Sequence, residues 1–249
     1  MHDKIYFISD LHLGASYLKD PLEYERRVVR WLNSIKESAK AIYLLGDILD
    51  YWYEYRNVVP RGFTRFLGTL ATFADEGIEI RWYIGNHDIW IFDYLPTEIG
   101  ITVVDGYEIK TINGKQFFLS HGDGLGNLKP GFKLIRWIFR NKTCQKLFSA
   151  IHPRWTIPFA HRWSSHSRNF TNEIPQFEGE EKEPLINFAR TWLKNSSQHI
   201  DYFVFGHRHI LLDYNLNNTS KVFILGDWIH HFSYAIFDGT NMVLETYKE

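Results

Sequence analysis

The sequence predicts an α/β protein: two β-sheets packed together, with helices outside. Three observations predict it. The first 84 residues alternate strand, helix, strand, helix, strand, which implies a parallel sheet with right-handed crossovers. An Asn113-Gly114 hairpin signal and several later short strands supply a second sheet. Short polar clusters follow the apolar runs, where open α/β sheets place their ligands. Composition agrees, because 249 residues at 45% hydrophobic and 23% charged describe a folded chain. One cysteine excludes an internally disulfide-stapled scaffold. With no internal repeat and no linker in view, a single domain over 1–249 is expected.

The elements follow in order. Lys4 to Ser9 is a short apolar, β-branched and aromatic run, hence a buried strand. Asp20 to Ala39 has helical periodicity at Val28, Trp31, Leu32 and Ile35, with Asp20 as N-cap and Pro21 at the first turn. Ala41 to Leu45 is a second strand. Gly62 to Glu76 reads as a helix stopped by Gly77, and Ile78 to Ile84 as a third strand. Tyr107 to Ile112 and Gln116 to Ser120 flank the hairpin turn. After a helical stretch come Tyr202 to Phe205, Leu211 to Leu216, Val222 to Leu225, Ser233 to Phe237 and a final Met242 to Tyr247.

Five clusters at strand exits carry chemistry. They are Asp10-Leu11-His12, Gly46-Asp47, Gly85-Asn86-His87-Asp88, Ser120-His121-Gly122-Asp123 and Gly206-His207-Arg208-His209. Their glycines let the backbone pass close to a bound ion. The donors are oxygen and imidazole without thiolate, which suits hard or borderline divalent ions and disfavours structural zinc. There are more donors than one ion needs. Two ions sharing a carboxylate would use them all and clamp an in-line displacement at phosphorus. Two such ions exceed the charge of two aspartates, and the positive residue favours a phosphate ester.

This series resembles the calcineurin-like metallophosphoesterase family, from Asp10 to His209. The resemblance implies a four-layer α/β (α+β) sandwich, two mixed β-sheets packed face to face with helices outside. It implies that one ion takes Asp10, His12 and His209, that the other takes Asn86, His121 and His207, and that Asp47 bridges them. A hydroxide with a metal-lowered pKa would be the nucleophile. The resemblance gives His87 the transition state or the leaving oxygen. Asp88 is expected to orient His87 or to cap a helix, and Asp123 to steady His121 or to cap the backbone. The metal expected is Mn2+, although the same donors accept Fe, Zn or Mg.

Gly46-Asp47 is followed by Ile48-Leu49-Asp50-Tyr51-Trp52, unlike the Asp-Arg-Gly step of Ser/Thr protein phosphatases. Together with Leu225-Gly226-Asp227-Trp228, it resembles the branch holding UDP-2,3-diacylglucosamine hydrolases of lipid A synthesis. That branch often carries Arg where this chain has His87. The resemblance implies release of UMP and 2,3-diacylglucosamine 1-phosphate. Asn86, His87, Lys129, Ser167, Arg168, Asn169 and His207 are the expected substrate contacts. Lys129 stands where an acidic residue is expected.

The net charge of −1 hides a separation. Nine of 28 basic residues and none of 29 acidic ones lie between Gly124 and Asn172. That asymmetry points to an anionic partner. Lys129, Lys133, Arg136 and Arg140 form one helical stripe beside Phe132, Leu134, Ile135, Trp137, Ile138 and Phe139. This pattern reads as a lid, about residues 124–198, that meets a membrane interface or lines an acyl groove. A nuclease would instead use it as a groove for nucleic acid, which the amphipathic pattern disfavours. A non-catalytic scaffold would lack donors, and here all are present. No signal peptide or membrane span is read, so a cytoplasmic enzyme peripheral to the inner membrane is expected. Cys144 is expected to be a small buried residue.

Overall fold

The computed structural model describes residues 2–126, 130–167 and 175–249, leaving aside the side chains of 161 and 163–167. The first half runs β1 (Lys4–Ile8), α1 (Pro21–Ile35), β2 (Ala39–Leu45), α2 (Thr64–Asp75), β3 (Glu79–Tyr83), β4 (Thr102–Val104), β5 (Tyr107–Ile112) and β6 (Lys115–Ser120). Four helices follow: α3 (Pro130–Arg140), α4 (Lys142–Ser149), α5 (Pro153–Ser167) and α6 (Pro184–Asn195). The chain closes with β7 (Tyr202–Phe205), β8 (Leu211–Asn215), β9 (Lys221–Leu225), β10 (Ser233–Phe237) and β11 (Met242–Thr246).

One sheet has the order β11-β10-β1-β2-β3-β4, the other β5-β6-β7-β9-β8. β1 to β4 pair in parallel, as do β6 with β7 and β7 with β9. The remaining pairs are antiparallel, so both sheets are mixed.

The pleat explains the layers. Phe7, Tyr43, Leu45 and Tyr83 on one sheet meet Phe117, Leu119, Val204 and Phe223 on the other. Phe7 stacks on Phe117 with ring centroids 5.8 Å apart. Their sequence neighbours point the other way. Tyr6, Ile8, Ile42 and Leu44 pack under α1 and α2, while Phe118, Phe203 and Phe205 pack under α6. Each fully buried large side chain contributes roughly 1.5–3 kcal/mol, so these three interfaces hold the sandwich.

Local chemistry sets the helix ends. Asp20 caps α1 by accepting from the Glu23 N–H at 2.9 Å. The N-cap of α2, Phe63, provides no side-chain cap. Buried Glu25 of α1 replaces it, accepting from the N–H groups of Arg65 and Phe66 at 2.8 and 3.0 Å. A carboxylate there also meets the positive end of the helix dipole.

Three differences from the sequence reading have physical causes. A π-helical turn (Leu95–Ile99) and the three-residue edge strand β4 are too short to show periodicity. α6 lies within the expected lid, yet buries Leu185, Ile186 and Ala189 on the second sheet. Cys144 is half-buried and lines a cavity, because on α4 only Gln145 is fully buried.

At one edge the sheets are tied by charge. Glu108 on β5 accepts from the Tyr83 hydroxyl at 2.7 Å and from Arg81 Nη2 and Nε at 2.7 and 3.1 Å. Burial opposes its ionisation, but Tyr83 and Arg81 outweigh burial and hold the carboxyl below its ordinary range. Glu108→Gln is therefore expected to destabilise by about 1 kcal/mol at neutral pH, discounted for partial exposure. The lowered pKa gives stability above the ordinary glutamate pKa that is lost as pH falls through the lowered one. Urea unfolding of both proteins across that range checks this, and a pH-independent difference would rule out the ionised clasp.

Candidate metal centre and cavity

The strand ends deliver the site. Beyond β1 and β2 the chain keeps pairing, with Asp10 N–H on Gly46 O at 3.1 Å and His12 N–H on Asp47 O at 3.0 Å. In the second sheet, beyond β6 and β7, Gly206 N–H donates to His121 O at 3.0 Å. Asp10, His12, Asp47, His207 and His209 all have φ between +45° and +67°. Non-glycine residues rarely accept this left-handed region, and such strain concentrates at functional sites. Gly85 and Gly206 are needed for close approach. A Cβ would lie 2.2 Å from Asp47 Oδ1 at the first and 2.6 Å from Asp10 Oδ2 at the second.

Three donor groups result: Asp10, His12 and His209; His12, Asp47 and His87; Asp47, His121 and His207. Asp47 belongs to two of them. Its Oδ2 lies 3.2 Å from His121 Nε2 and 3.9 Å from His12 Nε2, and its Oδ1 accepts from the His87 N–H at 2.8 Å. Asn86 Oδ1 lies 3.3 Å from His121 Nε2. The structure thus brings together Asp10, His12, Asp47, Asn86, His87, His121, His207 and His209.

The imidazoles are aimed. His121 Nδ1 bonds Leu45 O at 2.8 Å, His209 Nδ1 bonds Asp227 Oδ2 at 3.0 Å, and His12 Nδ1 lies 3.4 Å from Asp50 Oδ1. Each Nε2 then faces the carboxylates. Asp10 Oδ1 is buried with no hydrogen-bond donor, 3.4 Å from His209 Nε2 and 3.6 Å from His12 Nε2. Inward Nε2 atoms, outward-tethered Nδ1 atoms and an orphaned carboxylate oxygen fit divalent cations.

Charge follows the same geometry. Burial would raise both aspartates, but His209 and His12 lower Asp10 to about 2. Asp47 is held well below the ordinary range, against burial, by His121, His87 and His12. Burial disfavours a charged His121, but Asp47 raises its pKa well above that of ordinary imidazole. Burial and the nearby His121 push His207 down to about 4.

Two expected roles change. Asp88 does not cradle the His87 ring. It accepts from Gly85 N–H, Ile48 N–H and Trp82 Nε1 at 2.7, 2.9 and 3.1 Å, tying the loop to β2 and β3. Burial, then Asp47, raises it to about 6. Asp50 faces His87 instead, with its carbonyl 3.1 Å and its Oδ1 3.5 Å from Nδ1. Asp123 accepts from Arg136 Nε at 3.0 Å, while Leu45 O orients His121. Asp50 and Asp227 were missed as partners, although each follows a strand and sits in a quoted motif. Lys129, Arg168 and Asn169 lie outside the described residues, and Ser167 is seen only as the end of α5.

A cavity of about 320 Å3 opens from Asn86, His87 and Asp123. Its far wall is apolar, with Phe132, Ile135, Phe139, Phe148 and Phe159 from α3 to α5. Trp90 Nε1 donates to Phe139 O at 2.9 Å and the Tyr53 hydroxyl to Gln145 O at 2.7 Å, fixing α3 and α4 over it. The basic stripe is partly neutralised, because Arg136 pairs with Asp123 and Arg140 with Asp105. α3 buries no residue, and Leu134, Trp137, Leu147, Trp155 and Phe159 are exposed. Among the described residues, no helix is long and apolar enough to cross a membrane.

The model of the calcineurin-like phosphoesterase family matches residues 3–211, and the chain belongs to that family. It is a metal-dependent phosphoester hydrolase. A UDP-2,3-diacylglucosamine hydrolase of Porphyromonas gingivalis is 44% identical over all of this chain and 99% of its own length. The enzyme of that name from Neisseria meningitidis serogroup A is 28% identical, over 92% of this chain and 91% of its own. A solved dimetal phosphatase from Danio rerio is 12% identical over 99% of both chains, with a TM-score of 0.47.

Proposed function

We propose that this protein hydrolyses UDP-2,3-diacylglucosamine to UMP and 2,3-diacylglucosamine 1-phosphate. One observation carries the reading: a donor cluster suited to phosphate chemistry opens directly into an apolar cavity. The substrate has the same two halves, a diphosphate and acyl chains. The 44% identity to the Porphyromonas enzyme supports it.

In this reading Asp10, His12 and His209 hold one ion, Asn86, His121 and His207 the other, and Asp47 both. Mn2+ is the proposed metal. Bound ions would supply Lewis acidity and a nucleophile at neutral pH. The chain's own groups do the rest. Water oxygen bonds to the α-phosphorus, and the bond to the bridging oxygen breaks. His87, held through Nδ1 by Asp50, turns Nε2 to the departing oxygen and protonates or stabilises it. Asn86, His207, Lys129, Ser167, Arg168 and Asn169 are the proposed substrate contacts.

α3 to α5 act as the lid. The cavity takes acyl chain, and the exposed Leu134, Trp137 and Trp155 rest on the cytosolic membrane face beside the basic residues.

Three outcomes are expected. Purified, Mn2+-loaded protein releases UMP from the lipid substrate; Asp47→Ala lowers this by at least about 1,000-fold and His87→Ala by roughly 100- to 10,000-fold. Cleavage of simple diesters without cleavage of this lipid would refute the substrate. Ala160→Trp, which fills the cavity, raises KM for the diacyl substrate roughly tenfold or more and leaves a water-soluble aryl phosphodiester unaffected. An unchanged KM would remove the acyl role. Replacing Trp137 and Trp155 together by Ala lowers co-sedimentation with anionic vesicles, and equal sedimentation would remove the membrane contact.

A further inference from the structure

Asp227 takes no part in the chemistry above, yet it is fully buried at the site's edge, in the turn between β9 and β10. Its two oxygens serve different groups. Oδ1 accepts from the N–H groups of Ile229, His230 and His231 at 3.1, 2.7 and 3.2 Å, and lies 3.4 Å from His231 Nδ1. Oδ2 faces His209 Nδ1 at 3.0 Å and His230 Nδ1 at 3.1 Å.

The turn itself is pinned. Gly226 N–H donates to Ile210 O at 3.0 Å, Trp228 Nε1 to Ser233 O at 2.8 Å, and the Ser233 hydroxyl to Leu225 O at 2.6 Å. Trp228 N–H donates to Asp10 O at 3.2 Å. Among the described residues, the turn's hydrogen bonds reach Asp10 and His209, and none reaches Asn86, His121 or His207.

We propose that Asp227 is a positioning residue that fixes the His209 tautomer and so sets the affinity of one ion position, that of Asp10, His12 and His209, independently of the other. This rests on the two-ion reading above. The argument is one of protons. A neutral imidazole has one N–H. Donating it from Nδ1 to Oδ2 leaves the Nε2 lone pair facing Asp10, 3.4 Å away. Asp227→Asn keeps an acceptor for the three backbone N–H groups and puts an NH2 where Oδ2 was. A donor then faces Nδ1, and the proton moves to Nε2, where it blocks a cation.

Calorimetric titration with Mn2+, with metal counting after desalting, tests this on the full chain. Wild type is expected to take two ions. Asp227→Asn keeps one at unchanged affinity and binds the other roughly ten- to a hundredfold more weakly. His230→Gln removes the second imidazole on Oδ2 and keeps both ions. His209→Gln weakens the same ion as Asp227→Asn, and combining the two adds nothing. Two ions bound normally by Asp227→Asn, or both lost equally, would overturn the inference. Fewer than two ions on wild type would overturn the two-ion reading itself. Should Asp227→Asn fail to fold, nitrogen-15 NMR of the ion-free wild type decides. His209 must carry its proton on Nδ1, and a proton on Nε2 alone overturns the proposal.

Discussion

Two ionised carboxylates, Asp10 and Asp47, are buried at the ends of adjacent parallel strands. Leaving them uncompensated would cost several kcal/mol each. Backbone donors answer part of that cost: His207 N–H meets Asp10 Oδ2 at 2.9 Å and His87 N–H meets Asp47 Oδ1 at 2.8 Å. Imidazoles answer another part. Asp10 Oδ1 has no hydrogen-bond donor and is faced by the Nε2 atoms of His12 and His209 at 3.6 and 3.4 Å. A bound cation would meet that oxygen and both imidazole lone pairs, so the same burial that strains the carboxylates prepares them for metal.

The compensation explains why two sheets are required. Asp10, Asp47 and Asn86 come from the ends of β1, β2 and β3, but His121 and His207 come from the ends of β6 and β7 in the other sheet. The aromatic layer around Phe7, Tyr43 and Phe117 fixes the distance between these ends. A slip of one residue in β1 or β6 would turn that layer outward. Register and site geometry are therefore one constraint, and the left-handed φ of five site residues is a strain that this core must hold.

The site was legible because its donors are adjacent to strands whose apolar runs are unmistakable. What a carboxylate bonds to was not. Asp88 follows His87 in sequence, but successive side chains diverge, and Asp88 turns into the core against Trp82 while Asp50 reaches His87. Asp227 lies 18 residues from His209, and only the β9–β10 turn reveals their pairing. The sandwich was legible through period-two alternation, whereas β4 was not, with three residues at an edge. Helicity after residue 130 was legible. The assignment of α6 to the sandwich was not, since amphipathicity marks an apolar face without naming what covers it.

The helices over the cavity invert the usual logic of a helical element. α3 fully buries no residue, and Phe139 packs only partly buried against the core, beside Trp90. Polar tethers add to that packing: Trp90 and Tyr53 grip carbonyls of α3 and α4, and Arg136 grips Asp123 beside His121. Those tethers leave the apolar side chains divided between the cavity and the outer surface. A ligand entering the cavity would bury Phe132, Ile135 and Phe139, adding the packing that α3 lacks, at roughly 25 cal/mol per Å2. Arg136 also pairs α3 with the residue two beyond His121, so the helix that walls the apolar cavity is tied to the loop that carries a donor of the cluster.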